Sequence, residues 1–217
     1  MGTIIDLSHP LYEGMQIYPN DPKFCCRPAA TIAQHGYNVQ SLSLGSHTGT
    51  HVDAPFHFFA DGKTIDQLPL SAFIGPALVI DVSQKGPRER IVWDDLAPYE
   101  KDMREGVILL LFTGCSEHWG TPKYYNHPYL VRDAAEKIMA TGIRVVGVDA
   151  LSPDETRLDG SDGDWGAHET ILGAGGIIAE NLRNLKATLG LKVTVSLAPL
   201  HLSGSDGAPT RAFAICW

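Results

Sequence analysis

The amino-acid sequence predicts an α/β fold, with a mixed sheet and flanking helices. Four short runs rich in Val, Ile and Leu are bounded by Gly, Pro or polar residues, as buried strands are. These runs cover residues 77–82, 107–112, 145–148 and 193–197. Two further stretches, 130–141 and 177–186, have the composition of helices and come before the third and fourth strands. This alternation of helix and strand favours the α/β class.

From the N-terminus, residues 1–7 are predicted to form the first strand. The clearest helix is 130–141, because its apolar residues at 131, 134, 135, 138 and 139 recur with helical spacing. Gly142 follows as a C-terminal cap, and the chain then enters a strand over residues 143–149. Residues 177–186 are predicted as a second helix, and the polar stretch 152–166 as a long loop of the functional kind.

Length and composition limit the class of protein. A chain of 217 residues can bury a sizeable core, and a single domain over residues 1–217 is expected. The net charge is −8 with 17 Lys and Arg and no basic run, so nucleic acid is not an expected partner. No apolar run reaches the roughly 18 residues of a membrane span, and the N-terminal residues lack a secretion signal, which predicts a cytoplasmic location. The cysteines at 25, 26, 115 and 216 form no Cys-x-x-Cys pair and are expected to be buried free thiols.

A dense row of metal-binding residue types lies near the first quarter of the chain. His47, His51, Asp53 and His57 fall within twelve residues, and imidazole and carboxylate are preferred ligands of divalent zinc and manganese. All four positions are odd, so an extended chain would turn the four side chains to one face. A helix would scatter them. The row predicts a metal site on an extended segment.

A site of this kind recruits further ligands from elsewhere in the chain. His168 follows the polar loop, and Glu180 lies among apolar residues, where a buried carboxylate would need a partner. Taken alone, these residues leave alternatives open, because His168 could be a hydrogen-bonded core histidine and Glu180 an exposed helix residue.

Residues 47–58 read HTGTHVDAPFHF, and this string resembles the signature of the cyclase family of metal-dependent hydrolases, which includes bacterial kynurenine formamidase and isatin hydrolase. The resemblance extends over nearly the whole chain, through residues 6–11 (DLSHPL), 18–21 (YPND), 61–65 (DGKTI) and 197–200 (LAPL). It implies a swivelling β/β/α fold with the metal site at a sheet edge, and commonly a dimer or tetramer.

The resemblance also implies roles for individual residues. In the formamidase branch the two motif histidines and the Asp bind metal together with a later His and a Glu twelve residues beyond it, a spacing that His168 and Glu180 match. The implied cofactor is Zn²⁺ or Mn²⁺, two ions per chain, with Asp53 and Glu180 as bridging carboxylates. Isatin hydrolase resembles a variant of this site that holds one metal ion, which is the alternative. His57 matches the histidine assigned to proton transfer, with a ligand-orienting role as the alternative.

The implied activity is hydrolysis of an amide or lactam bond, as in arylformamides, in a small aromatic substrate. Kynurenine formamidases carry a six-residue pattern with Ser or Thr at its second position and Val or Ile at its fifth. The corresponding residues 149–154 of this chain read DALSPD. The difference argues against formylkynurenine as the substrate. The open alternatives are a lactone hydrolase, a metal-dependent cyclase or dehydratase, and a structural metal-binding protein. Several residues remain uncommitted between pocket and structural roles: His118, His127, Tyr18, Phe24, Phe58, Phe59 and Trp119.

Overall fold

The computed structural model describes residues 2–158 and 163–216. Within these ranges the strands are β1 (Thr3–Asp6), β2 (Cys25–Ala30), β3 (Val39–Ser43), β4 (His51–Asp53), β5 (Ile74–Asp81), β6 (Arg90–Ile91), β7 (Ile108–Phe112), β8 (Tyr129–Leu130), β9 (Val145–Val148), β10 (Ile177–Glu180), β11 (Val193–Ser196), β12 (Gly207–Pro209) and β13 (Phe213–Cys216). The α-helices are α1 (Ile32–His35), α2 (Trp93–Leu96), α3 (Arg132–Ala140) and α4 (Gly166–Gly173).

Nine of the strands form one mixed sheet in the order β1-β13-β11-β5-β7-β9-β10-β4-β12. The central strands β5, β7, β9 and β10 run parallel to one another. On one side β11, β13 and β1 pair antiparallel, and on the other β4 and β12 do so. Strands β2 and β3 form a separate hairpin, and β6 pairs with β8. The predicted α/β class with a mixed sheet is confirmed.

Strands β7, β9 and β10 are buried on both faces of the sheet. In β7, Leu109 and Leu111 belong to one apolar cluster, which α3 and α4 cover, while Leu110 belongs to a second cluster. The second cluster also contains Val52 from β4 and Val195 from β11. Because strands near opposite edges of the sheet meet in this cluster, the sheet curls around it. Burial on both faces explains why these strands read as continuous apolar runs.

Most of the predicted elements are confirmed. The four apolar runs correspond to β5, β7, β9 and β11, and the first strand to β1. Helix α3 lies within the predicted 130–141 and buries Ala134, Ala135, Ile138 and Met139. After it, Gly142 has a φ of +96°, the left-handed conformation expected after a helix.

The helix predicted over residues 177–186 is wrong. Ile177–Glu180 is strand β10, held between β9 and β4, and the backbone then turns through Asn181 and Asn184, both with positive φ. The run of Ile177, Ile178 and Ala179 is apolar because it is buried on both faces of the sheet. A short apolar run of this kind does not distinguish a buried strand from a buried helix.

Helix α4 was not predicted, and it begins at the end of the predicted loop, of which residues 159–162 lie outside the described residues. The four cysteines are free, but only Cys115 is buried, so the expected burial of the other three is wrong. Among the described residues, no helix has the length and apolar character needed to cross a membrane.

Candidate active site

Strand β4 lies at the centre of the site, because it pairs with β10 on one side and with β12 on the other. Its residues His51 and Asp53 are two apart in an extended strand, so their side chains point to the same face. In the antiparallel register, Glu180 lies opposite His51 and Gly207 lies opposite Asp53. The sheet thus brings residues from the last quarter of the chain beside the histidine row.

The row of His47, His51, Asp53 and His57 is not one extended strand, and that part of the prediction is wrong. His47 lies in a turn before β4, and His57 ends the 3-10 helix Pro55–His57. Pro55 stops the strand because proline fixes φ and lacks the N–H that a sheet requires. The chain folds back at both ends of β4, so the four side chains still converge. The His47 ring lies 4.0 Å from the His57 ring and 5.0 Å from the His51 ring, centre to centre.

A first group of potential ligand atoms forms around one oxygen of Asp53. Asp53 Oδ1 lies 2.7 Å from His47 Nδ1 and 3.2 Å from His51 Nε2. His51 donates its Nδ1–H to the carbonyl oxygen of Gly49 at 2.8 Å. That bond leaves the Nε2 lone pair of His51 directed into the site. The three side chains could together hold a metal ion.

A second group forms around the other oxygen of Asp53. His168 Nε2 lies 3.7 Å from Asp53 Oδ2 and 3.4 Å from Glu180 Oε1. Asp154 accepts a hydrogen bond from His168 Nδ1 at 2.6 Å, and it also accepts the backbone N–H groups of Ala167 and His168 at the start of α4. Asp154 therefore fixes His168 with Nε2 facing the site. This group, too, could hold a metal ion.

Three buried atoms of these groups lack a hydrogen-bond partner of acceptable geometry. They are His51 Nε2, Asp53 Oδ2 and Glu180 Oε1. A buried polar atom left unpaired costs about 1–3 kcal/mol, and more when it is charged. All three are electron-pair donors of the types that zinc and manganese accept. The donor set therefore fits a divalent cation between these side chains.

The protonation of the cluster is governed by opposing effects. Burial disfavours a protonated His47, but the Asp53 carboxylate and the hydrogen bond with Asp206 outweigh it and raise the pKa of His47 to about 9. Burial acts likewise on His168, and hydrogen bonds with Asp154 and Asp53 raise its pKa to about 10. Burial would raise the pKa of Asp53, but the neighbouring histidines hold it well below its usual range. Protons therefore occupy these histidines at neutral pH in the absence of a metal, and a metal ion would displace them.

His57 stands beside the two ligand groups and contacts Asp206. Asp206 Oδ2 lies 3.3 Å from His57 Nδ1 and 2.8 Å from His47 Nε2. Hydrogen bonds from His47 and His57 hold the pKa of Asp206 below its usual range. These three side chains form a third group that could hold a cation, adjoining the first through His47.

A cavity of about 300 Å³ opens directly onto these groups. It is lined by His47, His51, His57, His168 and Glu180, together with an aromatic wall of Tyr18, Phe58 and Trp165. The Phe58 ring stacks on the His168 ring at 4.8 Å and lies 5.9 Å from the Trp165 ring. A larger cavity of about 670 Å³ near Phe59 is lined by none of the candidate ligands, so the smaller one is the better candidate for substrate binding.

The structure brings together every site residue that the sequence predicted: His47, His51, Asp53, His57, His168 and Glu180. Their roles as ligands and proton carrier remain predictions. Three residues of the site were missed, namely Asp154, Trp165 and Asp206. Asp154 lies within the quoted segment 149–154, which could have drawn attention to it, whereas Asp206 carries no local signal beyond its position before Gly207.

Of the seven uncommitted residues, two line the cavity, namely Tyr18 and Phe58. Phe24, Phe59, Trp119 and His127 are at least partly buried elsewhere, and His118 is exposed. His127 is buried and bonded to Pro128 O and Thr156 Oγ1. The His9 ring stacks on Trp119 at 4.0 Å.

Comparisons with known proteins agree with this architecture. A family model described as putative cyclase matches residues 5–155. Kynurenine formamidases from Bacillus thuringiensis and Bacillus cytotoxicus are 37% and 35% identical over 210 residues, which cover 96% of this chain and 95% of each relative.

Solved structures give the same result. Isatin hydrolase A from Labrenzia aggregata, bound to benzyl benzoate, matches with a TM-score of 0.89 at 25% identity, covering 99% of this chain and 93% of that one. A protein described as a potential metal-dependent hydrolase with cyclase activity matches with a TM-score of 0.80 at 29% identity, covering 100% and 99%. The resemblance seen in residues 47–58 is confirmed. Because the family model spans well over half of the residues, the chain belongs to the putative cyclase family.

Proposed function

We propose that this chain is a metal-dependent hydrolase that cleaves an amide or lactam C–N bond in a small aromatic substrate. The observation that carries the proposal is the meeting of two ligand groups, joined by Asp53, with a cavity walled by Tyr18, Phe58 and Trp165. Similarity to kynurenine formamidases and to isatin hydrolase supports a C–N bond as the target.

The cofactor in this proposal is a pair of divalent ions, Zn²⁺ or Mn²⁺. His47, His51 and Asp53 would hold one ion, and Asp53, His168 and Glu180 the other. Glu180 supports a bridging role, because its Oε2 lies 3.4 Å from His51 Nε2 and its Oε1 lies 3.4 Å from His168 Nε2. Asp53 likewise turns one oxygen toward each group, so both carboxylates are suited to bridge.

The chemistry divides between the ions and the chain. Divalent ions in such a site lower the pKa of bound water to about 7 and polarise a carbonyl group. His57 lines the cavity and would hold a proton and deliver it to the nitrogen that departs when the C–N bond breaks. The aromatic wall would orient a flat ring and exclude water from it.

The substrate is expected to differ from that of kynurenine formamidases. Within the segment 149–154, the residues that depart from their pattern are Ala150 and Pro153, and these flank Leu151 and Ser152, which line the cavity. Because loops of this kind set substrate shape, formanilide, isatin and a lactone such as dihydrocoumarin form a suitable assay panel for formamide, lactam and ester bonds.

The test combines metal content with turnover. Plasma mass spectrometry of the purified protein should find about two zinc or manganese ions per chain, one for each of the two groups that share Asp53. Hydrolysis of formanilide or isatin should disappear with a chelator and return when zinc or manganese is added. One ion per chain would support the single-metal variant, and protein without metal would contradict the proposal.

The same measurements separate the alternatives. Turnover of dihydrocoumarin alone would identify a lactone hydrolase. Metal without hydrolysis of any member of the panel would leave cyclisation or dehydration as the reaction. Chelator-induced unfolding of a protein that turns over nothing would indicate a structural metal site.

We also infer that the chain forms a homo-oligomer. The hairpin of β2 and β3, with the connecting α1, exposes four large apolar side chains, Ile32, Tyr37, Val39 and Leu42, to between 46% and 64% of their surface. Val39 and Leu42 are three apart in a strand, so the hairpin exposes apolar side chains on both of its faces, and exposed apolar surface of this kind marks interaction sites. A second copy of this chain is the proposed partner. The cytoplasmic location expected from the N-terminal sequence stays a prediction.

A further inference from the structure

Asp206 connects a candidate metal ligand to the candidate proton carrier through one oxygen atom. Asp206 Oδ2 lies 2.8 Å from His47 Nε2 and 3.3 Å from His57 Nδ1. We propose that Asp206 fixes the tautomers of both histidines, so that His47 meets the metal with Nδ1 and His57 keeps Nε2 free to move a proton. This inference rests on the metal-dependent function proposed above.

The backbone around Asp206 is tied to the strand that carries Asp53. The backbone N–H of Ala54 donates to the carbonyl oxygen of Asp206 at 2.8 Å, and that of Ile65 donates to Ser205 at 2.9 Å. Gly207, the next residue, pairs with Asp53 across β12 and β4. The carboxylate of Asp206 is therefore placed by the sheet register and not by a free loop.

Gly207 also restricts the His47 ring. A Cβ atom on residue 207 would lie 2.7 Å from His47 Cε1 and 2.9 Å from the carbonyl oxygen of Val52, so a side chain there would displace the ring. The ring packs against the bare backbone, with Asp53 on its Nδ1 side and Asp206 on its Nε2 side. In this position both ring nitrogens of His47 have a partner.

The tautomers follow from the acceptor character of a carboxylate. An ionised Asp accepts hydrogen bonds and donates none, so the ring nitrogen facing Asp206 must carry the hydrogen. The Nδ1 of His47 faces the Asp53 carboxylate, so it too carries a hydrogen until a metal ion held with Asp53 displaces it. Metal-bound His47 then donates from Nε2 to Asp206 and presents the Nδ1 lone pair to the ion. His57 donates from Nδ1, and its Nε2 lone pair is the one that can take up a proton. A carboxylate behind a metal-bound histidine fixes the ring and raises its basicity as a ligand.

The first test measures the tautomers in zinc-loaded protein. Long-range ¹H–¹⁵N spectra of protein with ¹⁵N-labelled histidine, assigned with His57→Ala, should show the hydrogen on Nε2 of His47 and on Nδ1 of His57. A hydrogen on Nδ1 of His47 would overturn the proposal. A His57 without a hydrogen on Nδ1 would do so as well, since the third group would then hold an ion itself.

The second test measures zinc affinity by competition with a chelator. Asp206→Ala should weaken binding about 10- to 100-fold, and Asp206→Asn, which keeps the shape of the side chain, should weaken it less. Asp61→Asn is the matched control, because Asp61 is exposed and lines a different cavity, and it should bind zinc as wild type does. Asp206→Asn provides the answer if Asp206→Ala does not fold.

The outcomes separate this inference from the proposed function. Wild-type protein that binds zinc, with Asp206 variants of unchanged affinity and unchanged tautomers, would overturn the role of Asp206 alone. Wild-type protein that binds neither zinc nor manganese would overturn the proposed function and this inference with it. Neither measurement uses a substrate, so an incorrect choice of substrate affects neither result.

Discussion

The two carboxylate oxygens of Asp53 face different histidines, which makes this residue central to the site. Oδ1 faces His47 and His51, and Oδ2 faces His168. His57 contacts neither group directly through a short hydrogen bond; its nearest charged partner is Asp206. Substitutions at Asp53 and at His57 are therefore expected to have separable effects.

His57→Ala should keep its metal and lose turnover. Removing a general acid or base typically lowers kcat by about 10²- to 10⁴-fold, whereas the ligands of both groups remain in place. Asp53→Ala should lose metal as well, because both groups contain Asp53. Metal content and kcat of the two variants give the comparison, with His118→Ala as an exposed control outside the cavity. Wild-type kcat in His57→Ala would contradict the assignment.

His127 should make the stability of the metal-free protein depend on pH. Burial lowers the pKa of His127 from 6.5 to about 4, so between these values the folded state binds fewer protons than the unfolded state. The unfolding free energy should therefore rise with pH through this window, and the increase should be complete above pH 6.5. The size of the effect is of order 3 kcal/mol.

Urea unfolding at several pH values between 4 and 7 measures this dependence. In His127→Gln the loss of stability on acidification should be smaller than in wild type by up to about 3 kcal/mol. His201→Gln is a suitable control, because His201 is exposed and should leave the pH dependence unchanged. An identical pH dependence in His127→Gln and wild type would contradict the prediction.

At the scale of elements, the hairpin of β2 and β3 leaves most of its residues exposed. Every residue of β3 is exposed, and Leu42 is 58% exposed. Light scattering of wild-type protein at micromolar concentration should give at least twice the chain mass. Leu42→Asp should weaken the association at least 10-fold, because a charge would be buried without a partner. Leu191→Asp, at a site 50% exposed but away from the hairpin, should not. A monomeric wild type would contradict this prediction.

The elements differ in how far the sequence could predict them. Helix α3 has one polar and one apolar side, so its spacing of apolar residues identifies it. Strand β10 is buried on both faces and four residues long, so the periodicity of its apolar residues does not separate it from a helix, and only Gly176 and the β-branched Ile177 and Ile178 favour a strand. Helix α4 begins and ends with glycine and its apolar residues are few, which hides it from the same analysis.

At the scale of the whole molecule, the site could be predicted where its residues are neighbours in sequence. His47, His51, Asp53 and His57 form a compact row, and the family resemblance adds His168 and Glu180 through their spacing. Asp206 enters the site only because β12 pairs with β4. Trp165 belongs to the site because the residue directly before α4 lines the cavity. Pairings between distant parts of a chain leave no local pattern, so these residues could be found only in the structure.

The position of β4 between β10 and β12 has a consequence for the newly made protein. On the ribosome, Asp53 is synthesised well before Glu180, and at about 5–20 residues per second the delay is roughly 6–25 s. During that interval the nascent chain offers His47, His51 and Asp53 without the strands that order them. Under the proposed function, stable uptake of metal therefore follows the synthesis and pairing of β10 and β12, and a chain that lacks them competes poorly for the cell's zinc or manganese.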